Sequence, residues 1–354
     1  MTERETMTVN ADQRRELIYA TLREAGTLRL VDLAERIGLP AVTVRRDVAR
    51  LADSGLLQRS HGLVSMPADE RVAASERVIG VVVPTVEGYY DEVVEGAREI
   101  ATSTGTRLVL GIASYERADD EAQVKQLLES GAEGLLLTPN LLPGSGDMKW
   151  IRELSVPVVL VERRPARDSV LAELDSVTSD HDHGVLIALR HFAELGHTSV
   201  ALAALADTWT AYQVRSGYAT GMQLLGLTPQ PVIDIPDRGA DRTGVAAAIA
   251  EQVEAGVGAV LVHNDQAAIA LPPLLRSHGL RVPEDVALIS YDDVFAGMAA
   301  PPLTAVAPPK RAVGVVAMEL MARRLRGGPE LPVQHVGLLP RLSVRTSCGA
   351  GGEG

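Results

Sequence analysis

Apolar and polar positions along the chain follow two patterns, which change over at about residue 70. From residue 78 onward, continuous apolar runs of strand length alternate with segments of helical periodicity. Continuous apolar runs are typical of strands buried on both faces, as in parallel sheets covered by helices. The predicted strands are 78–83, 107–112, 134–138, 156–162, 199–205, 258–263 and 286–291. The predicted helices between them are 90–104, 120–131, 183–195, 213–226, 241–256 and 265–278.

This alternation is too long for one ordinary doubly wound sheet. We therefore predict an α/β domain at 78–346 with two doubly wound parallel-sheet subdomains and a cleft between them. The first subdomain is expected to comprise about 78–177 and 306–327, and the second about 178–305 and 328–346. Residues 347–354 are assigned to a flexible tail.

The first 65 residues have a different pattern, with three short helices predicted at about 11–25, 30–37 and 40–54. A tight two-stranded ribbon is expected at 56–64. Three helices with a short turn between the second and third, followed by a ribbon, are typical of a winged helix-turn-helix. In the third helix the predicted buried side is formed by Val42, Val44, Val48 and Leu51. The polar segment 66–77 is the predicted linker.

Charge is distributed unevenly between these two parts. The net charge of −12 argues against nucleic-acid binding by the whole chain. However, residues 1–65 carry a net charge of +1 with ten arginines, and the remainder carries −13. DNA contact is therefore expected only at the amino-terminal end.

Two stretches of the first part resemble the DNA-binding domain of the DeoR family, VTVRRDV at 42–48 and LQRSHG at 57–62. The resemblance covers about 12–66, and it departs from the family at Pro40 and Leu63. It implies a recognition helix whose first half enters the major groove. The expected DNA contacts are Thr43, Arg45, Arg46, Arg50, Arg59 and His61, whereas Asp47 is expected to orient an arginine.

Aromatic residues point to a binding site in the second part. Ligands of such sheets lie outside the carboxyl ends of the strands. Seven of the eleven aromatic residues fall just past predicted strand ends, and we expect at least three of them in a ligand cleft. These seven are Tyr89, Tyr90, Tyr115, Trp209, Tyr212, Tyr291 and Phe295. Aromatic faces with interspersed polar groups suit a sugar or a nucleoside.

Residues 78–346 resemble the effector domain of the LacI/GalR family, which has the type I periplasmic sugar-binding-protein fold. The stretches that carry the resemblance are IGVVVP at 79–84, VPVVLVER at 156–163, LGHTSVA at 195–201, VHND at 262–265, GLRVPEDV at 279–286 and PPLTAV at 301–306. The resemblance implies that Asn264 and Asp292 hydrogen-bond the ligand. The further candidate ligand contacts are Thr85, Tyr89, Tyr90, Ser114, Glu162, Trp209 and Arg215.

One departure concerns the ligand-binding arginine of that family, which stands three residues before a glycine. Here that position is Val214, and Arg215 stands two residues before Gly217. One residue turns a helix by about 100°, so whether Arg215 contacts ligand is left open. The family's usual DNA-binding head and hinge helix are replaced by the DeoR-type domain, and the signal is expected to pass through the linker.

Several other functions are not expected. The sequence has one cysteine, Cys348, so a disulfide within the chain is excluded. Neither catalytic residues nor a cofactor nor a metal site is predicted; His181 and His183 have no further ligand nearby in the sequence. No apolar run is long enough for a membrane span and no secretory signal is recognised, so we expect a cytoplasmic protein.

The sequence therefore predicts a transcriptional regulator, most simply a repressor, and not an enzyme. Its expected partners are double-stranded operator DNA and a small-molecule effector of the sugar class, and it is expected to act as a homodimer, with tetramer formation left open. One alternative keeps this architecture with a nucleoside or purine as effector or corepressor. Another is a solute-binding protein, which would not need 12–66.

Overall fold

The structure is a computed structural model that divides into two units, Met1–Glu76 and Arg77–Gly354. It describes residues 14–15, 17–18, 21–22, 27–53, 57–60, 63–65, 77–85, 88–113, 117–139, 148–206, 208–236, 241–328 and 330–350. The predicted linker therefore lies outside the described residues, apart from Arg77.

The first unit has helices packed on a small antiparallel sheet. The described residues between 14 and 22 are helical, and two further helices follow, α1 (Leu30–Arg36) and α2 (Ala41–Asp53). The sheet has the order β1-β3-β2, formed by β1 (Thr27–Arg29), β2 (Gln58–Ser60) and β3 (Leu63–Ser65). Gly38, at φ 67°, makes the turn between α1 and α2. The winged helix-turn-helix is confirmed, with β1 as a strand that the sequence analysis missed.

The core of the first unit differs from the prediction at one position of α2. Val44, Val48 and Leu51 are buried as expected, against Ile18 and Leu33. Val42 was predicted to be buried and is instead 79% exposed. It lies in the first turn of α2, where helical periodicity turns its side chain away from the stripe formed by 44, 48 and 51.

The second unit contains two sheets, the first parallel throughout and the second parallel except for one antiparallel edge strand, and the predicted α/β fold is confirmed. The first sheet has the order β15-β8-β7-β6-β4-β5. Its strands are β4 (Val78–Val83), β5 (Arg107–Ile112), β6 (Gly134–Leu137), β7 (Val158–Val161), β8 (Asp175–Ser179) and β15 (His335–Leu338). Its helices are α3 (Tyr89–Ser103), α4 (Arg117–Glu129), α5 (Lys149–Arg152) and α11 (Lys310–Gly327).

The second sheet has the order β10-β9-β12-β13-β14-β16, with β11 also paired to β9. Its strands are β9 (Ser199–Leu205), β10 (Thr228–Pro229), β11 (Ile233–Ile235), β12 (Ala259–His263), β13 (Ala287–Tyr291), β14 (Thr304–Ala307) and β16 (Arg341–Ser343). Its helices are α6 (His181–Glu194), α7 (Trp209–Leu225), α8 (Thr243–Glu254), α9 (Asp265–Ala268) and α10 (Leu271–Ser277).

Three predicted boundaries need correction. β15 pairs with β8 in the first sheet, whereas 328–346 was assigned entirely to the second subdomain. The predicted helix 265–278 is divided into α9 and α10, because prolines occupy the first positions of α10. Ser347 and Cys348 were assigned to a flexible tail, but they are 0% and 1% exposed, and Ser347 Oγ donates to the Leu288 carbonyl at 2.7 Å.

Candidate functional site

The exposed side of α2 is the candidate DNA-binding surface of the first unit. Arg45, Arg46 and Arg50 are exposed on this helix, and Thr43 is half-buried. Among the residues that the structure describes, no ion pair or side-chain hydrogen bond involves these three arginines. Their guanidinium groups can therefore reach phosphates or guanine edges without breaking an internal contact.

A buried ion pair holds α2 on its inner side. Asp47 is 1% exposed, and its carboxylate accepts a hydrogen bond from Arg14 Nε at 2.9 Å. This contact joins α2 to the helical segment near residue 14. The expectation that Asp47 orients an arginine agrees with this geometry, and the partner is Arg14.

The wing contributes Arg59, which is exposed on β2. β2 pairs with β3 in antiparallel register, with Arg59 opposite Val64. His61, the other predicted wing contact, lies outside the described residues.

The candidate effector site of the second unit is a cleft between the two sheets that is open to solvent. The lining residues follow the carboxyl ends of strands in both sheets, where ligands of such folds lie. They are Thr85, Gly88, Tyr89, Tyr90, Arg163, Leu205, Thr208, Trp209, Thr210, His263, Asn264, Asp265, Gln266, Asp292, Val294 and Phe295.

On the first wall, a buried carboxylate beneath the surface positions Tyr89. The Tyr89 hydroxyl donates to Glu162 Oε1 at 2.7 Å, and Ser179 Oγ donates to the same oxygen at 2.8 Å. Glu162 Oε2 accepts from the Ser179 backbone N–H at 3.0 Å and lies 3.5 Å from His181 Nε2. Although burial opposes the charge, the hydrogen bond and charge interaction with His181 and the hydrogen bond from Tyr89 lower the pKa of Glu162.

The neighbouring Arg163 is held by internal acceptors. It is 5% exposed, its Nη1 donates to the Glu162 carbonyl at 2.8 Å, and its Nε donates to the Pro139 carbonyl. A longer contact of 3.5 Å reaches the Tyr90 hydroxyl. Arg163 therefore supports the aromatic pair Tyr89 and Tyr90, whose ring centroids are 5.3 Å apart.

On the second wall, Asp265 fixes the loop that carries Phe295. Its Oδ2 accepts hydrogen bonds from the backbone N–H groups of Val294, Phe295 and Ala296 at 2.6, 2.9 and 3.2 Å. Its Oδ1 accepts from the Ser290 hydroxyl. These bonds use the Asp265 carboxylate for structure, so it is less suited than Asp292 to bind a ligand.

Asp292 lies in the cleft with its backbone in the left-handed region, at φ 100°. Burial, with the like charge of Asp265, raises the pKa of the Asp292 carboxyl to about 7. Lys310 lies behind it, and its Nζ donates to the Asp292 backbone carbonyl at 2.6 Å. A carboxyl with such a pKa, held in a cleft, is characteristic of functional sites.

Two further polar groups of the second wall have no hydrogen-bond partner among the described residues, the Trp209 Nε1–H and His263 Nδ1. His263 is 3% exposed, and burial with the positive charge of nearby groups lowers its pKa to about 3. The His263 ring lies 5.8 Å from the Tyr291 ring in an edge-on arrangement.

The structure brings together most of the predicted ligand contacts. Thr85, Tyr89, Tyr90, Trp209, Asn264 and Asp292 line the cleft. Ser114 lies outside the described residues. Of the seven aromatic residues expected near a cleft, four line it, Tyr89, Tyr90, Trp209 and Phe295. Tyr291 is instead fully buried, Tyr212 is 48% exposed, and Tyr115 lies outside the described residues.

Two predicted contacts lie elsewhere. Glu162 lies under the first wall, where it is 1% exposed and orients Tyr89. Arg215 donates to the backbone carbonyls of Ala204 and Leu205 at 2.8 and 2.9 Å and pairs with Asp234 at 2.6 Å. Neither lines the cleft, because the Glu162 carboxylate accepts from Tyr89 and Ser179, and the Arg215 guanidinium donates to carbonyl groups and to Asp234.

Sequence reasoning missed several lining residues: Arg163, Thr208, Thr210, His263, Asp265, Gln266 and Val294. Most of them directly adjoin a strand end, so a wider window around each strand end would have included them. His263 is the last residue of the apolar strand β12, and nothing in the sequence distinguishes it from a core residue.

Within the described part of the chain, no group of three or more His, Cys, Asp or Glu side chains is placed to hold a metal ion. No helix among those residues has the length and apolar character required to cross a bilayer.

Comparisons with known proteins agree with this geometry. A DeoR-like helix-turn-helix domain matches residues 14–69, and a periplasmic binding protein-like domain matches residues 189–348. The transcriptional repressor PurR of Vibrio atlanticus is 28% identical over 258 residues, which cover 71% of this chain and 75% of that protein. The arabinose metabolism transcriptional repressor of Geobacillus stearothermophilus is 23% identical over 330 residues, 89% of each chain.

A solved structure, a complex of the transcriptional regulator CelR with cellobiose, superposes with a TM-score of 0.66 at 26% identity. The superposition covers 90% of this chain and 98% of that one. A solute-binding protein would have no use for the DeoR-like domain.

These findings confirm both resemblances. The chain combines a DeoR-like helix-turn-helix domain with a periplasmic binding protein-like domain, and it is similar to LacI/GalR-type transcriptional regulators. It is a DNA-binding transcriptional repressor controlled by a small molecule. The relatives named above are regulators of transcription and not enzymes.

Proposed function

We propose that the effector is a sugar bound in the cleft of the second unit, and that its binding changes the affinity of the first unit for operator DNA. The observation that carries this proposal is the cleft itself, where aromatic rings of one wall face Asn264 and Asp292 of the other. Aromatic faces pack on the apolar face of a sugar ring, and amide and carboxylate groups bind its hydroxyls. The named arabinose and cellobiose regulators among the relatives support the sugar class.

A nucleoside or purine, as effector or corepressor, is the second candidate. Val214 is fully buried at the position where the LacI/GalR resemblance expects a ligand-binding arginine, and Arg215 is engaged by carbonyl groups and Asp234. Without that guanidinium the second wall is less polar than a typical sugar subsite, which favours a ligand with a flat apolar face.

On DNA, we propose that Thr43, Arg45 and Arg46 of α2 contact the major groove. Arg50, Arg59 and His61 would contact the backbone or the minor groove. The support is the exposure of the four arginines in this set. Because the target is operator DNA, we infer that the protein acts in the cytoplasm, without a catalytic role or a cofactor.

A homodimer is the proposed assembly on DNA, with a roughly palindromic operator whose half-sites lie one helical turn apart. Support comes from β5, an edge strand of the first sheet that pairs with β4. Leu110 and Ile112 of this strand are 40% and 50% exposed. An exposed edge strand with apolar side chains can pair with or pack against another chain.

Two substitutions separate the two halves of the proposal. Arg45→Ala should weaken specific operator binding tenfold or more, because a good arginine–base contact contributes about 1–3 kcal/mol. Effector binding should be retained. Asp292→Ala should retain operator binding and lose the effector response. Operator affinity is measured by fluorescence anisotropy, with Arg326→Ala, an exposed arginine of α11, as the charge-matched control. Unchanged operator affinity in Arg45→Ala would remove α2 from the interface.

A further inference from the structure

Some polar groups of the two cleft walls already have hydrogen-bond partners within the protein, and others do not. On the first wall, the Tyr89 hydroxyl is bonded to Glu162, and Arg163 is bonded to two backbone carbonyls. On the second wall, Thr208 Oγ1 accepts from the Ala211 N–H at 3.1 Å, and Asp265 accepts three backbone N–H groups. Each of these groups therefore already has at least one internal hydrogen-bond partner.

Trp209 and His263 are different, because each lines the cleft with a buried nitrogen that lacks a partner among the described residues. An indole N–H is only a donor, so it requires an acceptor. A buried polar group left without a partner costs about 1–3 kcal/mol. A ligand or a water molecule that supplies the missing partner recovers this cost, so both nitrogens are suited to contact the effector.

The charges around the cleft restrict the effector further. Among the described lining residues the one cationic side chain is Arg163, which is 5% exposed and engaged internally. Two carboxyl groups, Asp265 and Asp292, lie on the other wall. His263 is neutral at physiological pH, because burial lowers its pKa to about 3. An anionic ligand would meet these carboxyl groups without a free cation to balance it, and burying an unpaired charge is costly.

We propose that Trp209 and His263 contact the effector, and that the cleft selects an uncharged effector over its phosphorylated counterpart. This inference rests on the proposed function in that it assigns the effector to this cleft. It holds for a sugar and for a nucleoside alike, so it can succeed where the sugar class fails.

The chain offers a matched control, because it has two tryptophans and both have a buried, unpartnered indole nitrogen. Trp150 lies in α5 of the first subdomain, outside the cleft lining. Trp150→Phe therefore leaves Trp209 as the single fluorophore, and Trp209→Phe leaves Trp150. Each variant keeps an aromatic ring and removes one N–H, so both are expected to fold.

The first measurement compares quenching of the two single-tryptophan proteins by neutral acrylamide and anionic iodide, in the full-length chain. If the cleft excludes anions, the ratio of iodide to acrylamide quenching is at least two-fold lower at Trp209 than at Trp150. The net charge of the protein acts on both variants. Lys149 and Arg152, which flank Trp150 and would attract iodide there, are replaced by glutamine in both proteins so that they do not create this difference. Equal ratios at the two tryptophans would overturn the charge selectivity, whatever the effector is.

The second measurement uses matched pairs that differ by a phosphate: ribose and ribose 5-phosphate, glucose and glucose 6-phosphate, adenosine and adenosine 5′-monophosphate. Binding is followed by the emission of Trp209 in the Trp150→Phe protein and by calorimetry. The neutral member of a pair is expected to bind at least tenfold more tightly than its phosphate. A phosphate that binds as tightly as its neutral partner overturns the proposal. If adenosine binds and neither sugar does, the sugar effector fails and this inference stands.

The residue contacts are tested with the neutral compound that binds. Trp209→Phe should weaken its binding about 3- to 10-fold, the effect of one lost hydrogen bond, and Trp150→Phe should not change it. His263→Leu should weaken binding similarly, whereas His263→Asn, which places an amide near the position of Nδ1, should retain it. Unchanged affinity in both Trp209→Phe and His263→Leu would show that neither side chain contacts the effector.

Discussion

At the scale of single residues, the buried carboxyl of Asp292 destabilises the fold when it is ionised, and it is also a candidate ligand contact. Asp292 is 8% exposed, and the charges of Asp265 and Glu162 oppose ionisation of its carboxyl, whereas Lys310 favours it. Burial dominates, so the pKa rises from the usual 3.8 to about 7. Burying the Asp292 carboxyl in the cleft costs folding free energy. A ligand that donates hydrogen bonds to this carboxyl would offset that cost, which explains why an acidic residue is found here.

This cost predicts a pH dependence of stability. With a folded-state pKa above the unfolded value, the stability contributed by protonated Asp292 is full below about pH 4 and is lost as pH rises through 7. Asp292→Asn removes this loss. The gain in unfolding free energy over the wild type should grow between pH 5 and pH 7 by up to about 1.4 kcal/mol per pH unit and level off above pH 7. Urea unfolding across this range measures it, and a gain independent of pH would contradict the assignment.

Tyr89 and Trp209 were selected because they lie shortly after predicted strand ends, and both line the cleft, since parallel strands bring their carboxyl ends to one edge. Asn264 and Asp292 were selected through the resemblance to LacI/GalR effector domains, and they line the cleft as well. Arg215 shows the limit of the method, since sequence does not reveal that carbonyl groups at the end of β9 would accept its hydrogen bonds.

At the scale of elements, strand prediction depended on continuous apolar runs. β4, β5 and β9 were predicted with the bounds that the structure shows. β8 was missed, because its sequence DSVTS is polar although all five residues are buried. Its polar side chains are accommodated by specific bonds, such as that from Ser179 to Glu162 and that from Arg324 to Asp175 at 2.8 Å. Partners so distant in sequence cannot be recognised from a local pattern.

The edge strand β5 carries a prediction about assembly. If its exposed residues form the dimer interface, Leu110→Asp should convert the protein to a monomer, because a buried carboxylate without a partner opposes association. Operator affinity should fall, and effector binding should be retained. Sedimentation velocity measures the mass. Leu224→Asp, on α7 at a residue that is 69% exposed, is the control and should not change the mass. A dimer of unchanged stability in Leu110→Asp would place the interface elsewhere.

At the scale of the whole molecule, the two sheets of the effector domain are joined by several chain crossings. The chain crosses between the sheets three times, after β8, after β14 and after β15. At the first crossing, His181 lies 3.5 Å from Glu162 of the first subdomain, and its Nδ1 is 3.1 Å from the Tyr291 hydroxyl of the second. A ligand that contacts both walls binds a closed arrangement of the cleft more tightly than an open one. It shifts the equilibrium towards the closed arrangement by the difference between these two binding free energies.

The central claim is that a ligand in the cleft changes the affinity of the winged helix for operator DNA. The direct measurement is the operator affinity of the wild-type protein, by fluorescence anisotropy with a duplex selected from a random library, with and without the neutral compound that binds at Trp209. A coupling free energy of about 1–3 kcal/mol predicts a change of roughly 5- to 150-fold, which should be absent in Asp292→Ala. An operator affinity that stays the same while the cleft of the wild-type protein is saturated would contradict the account.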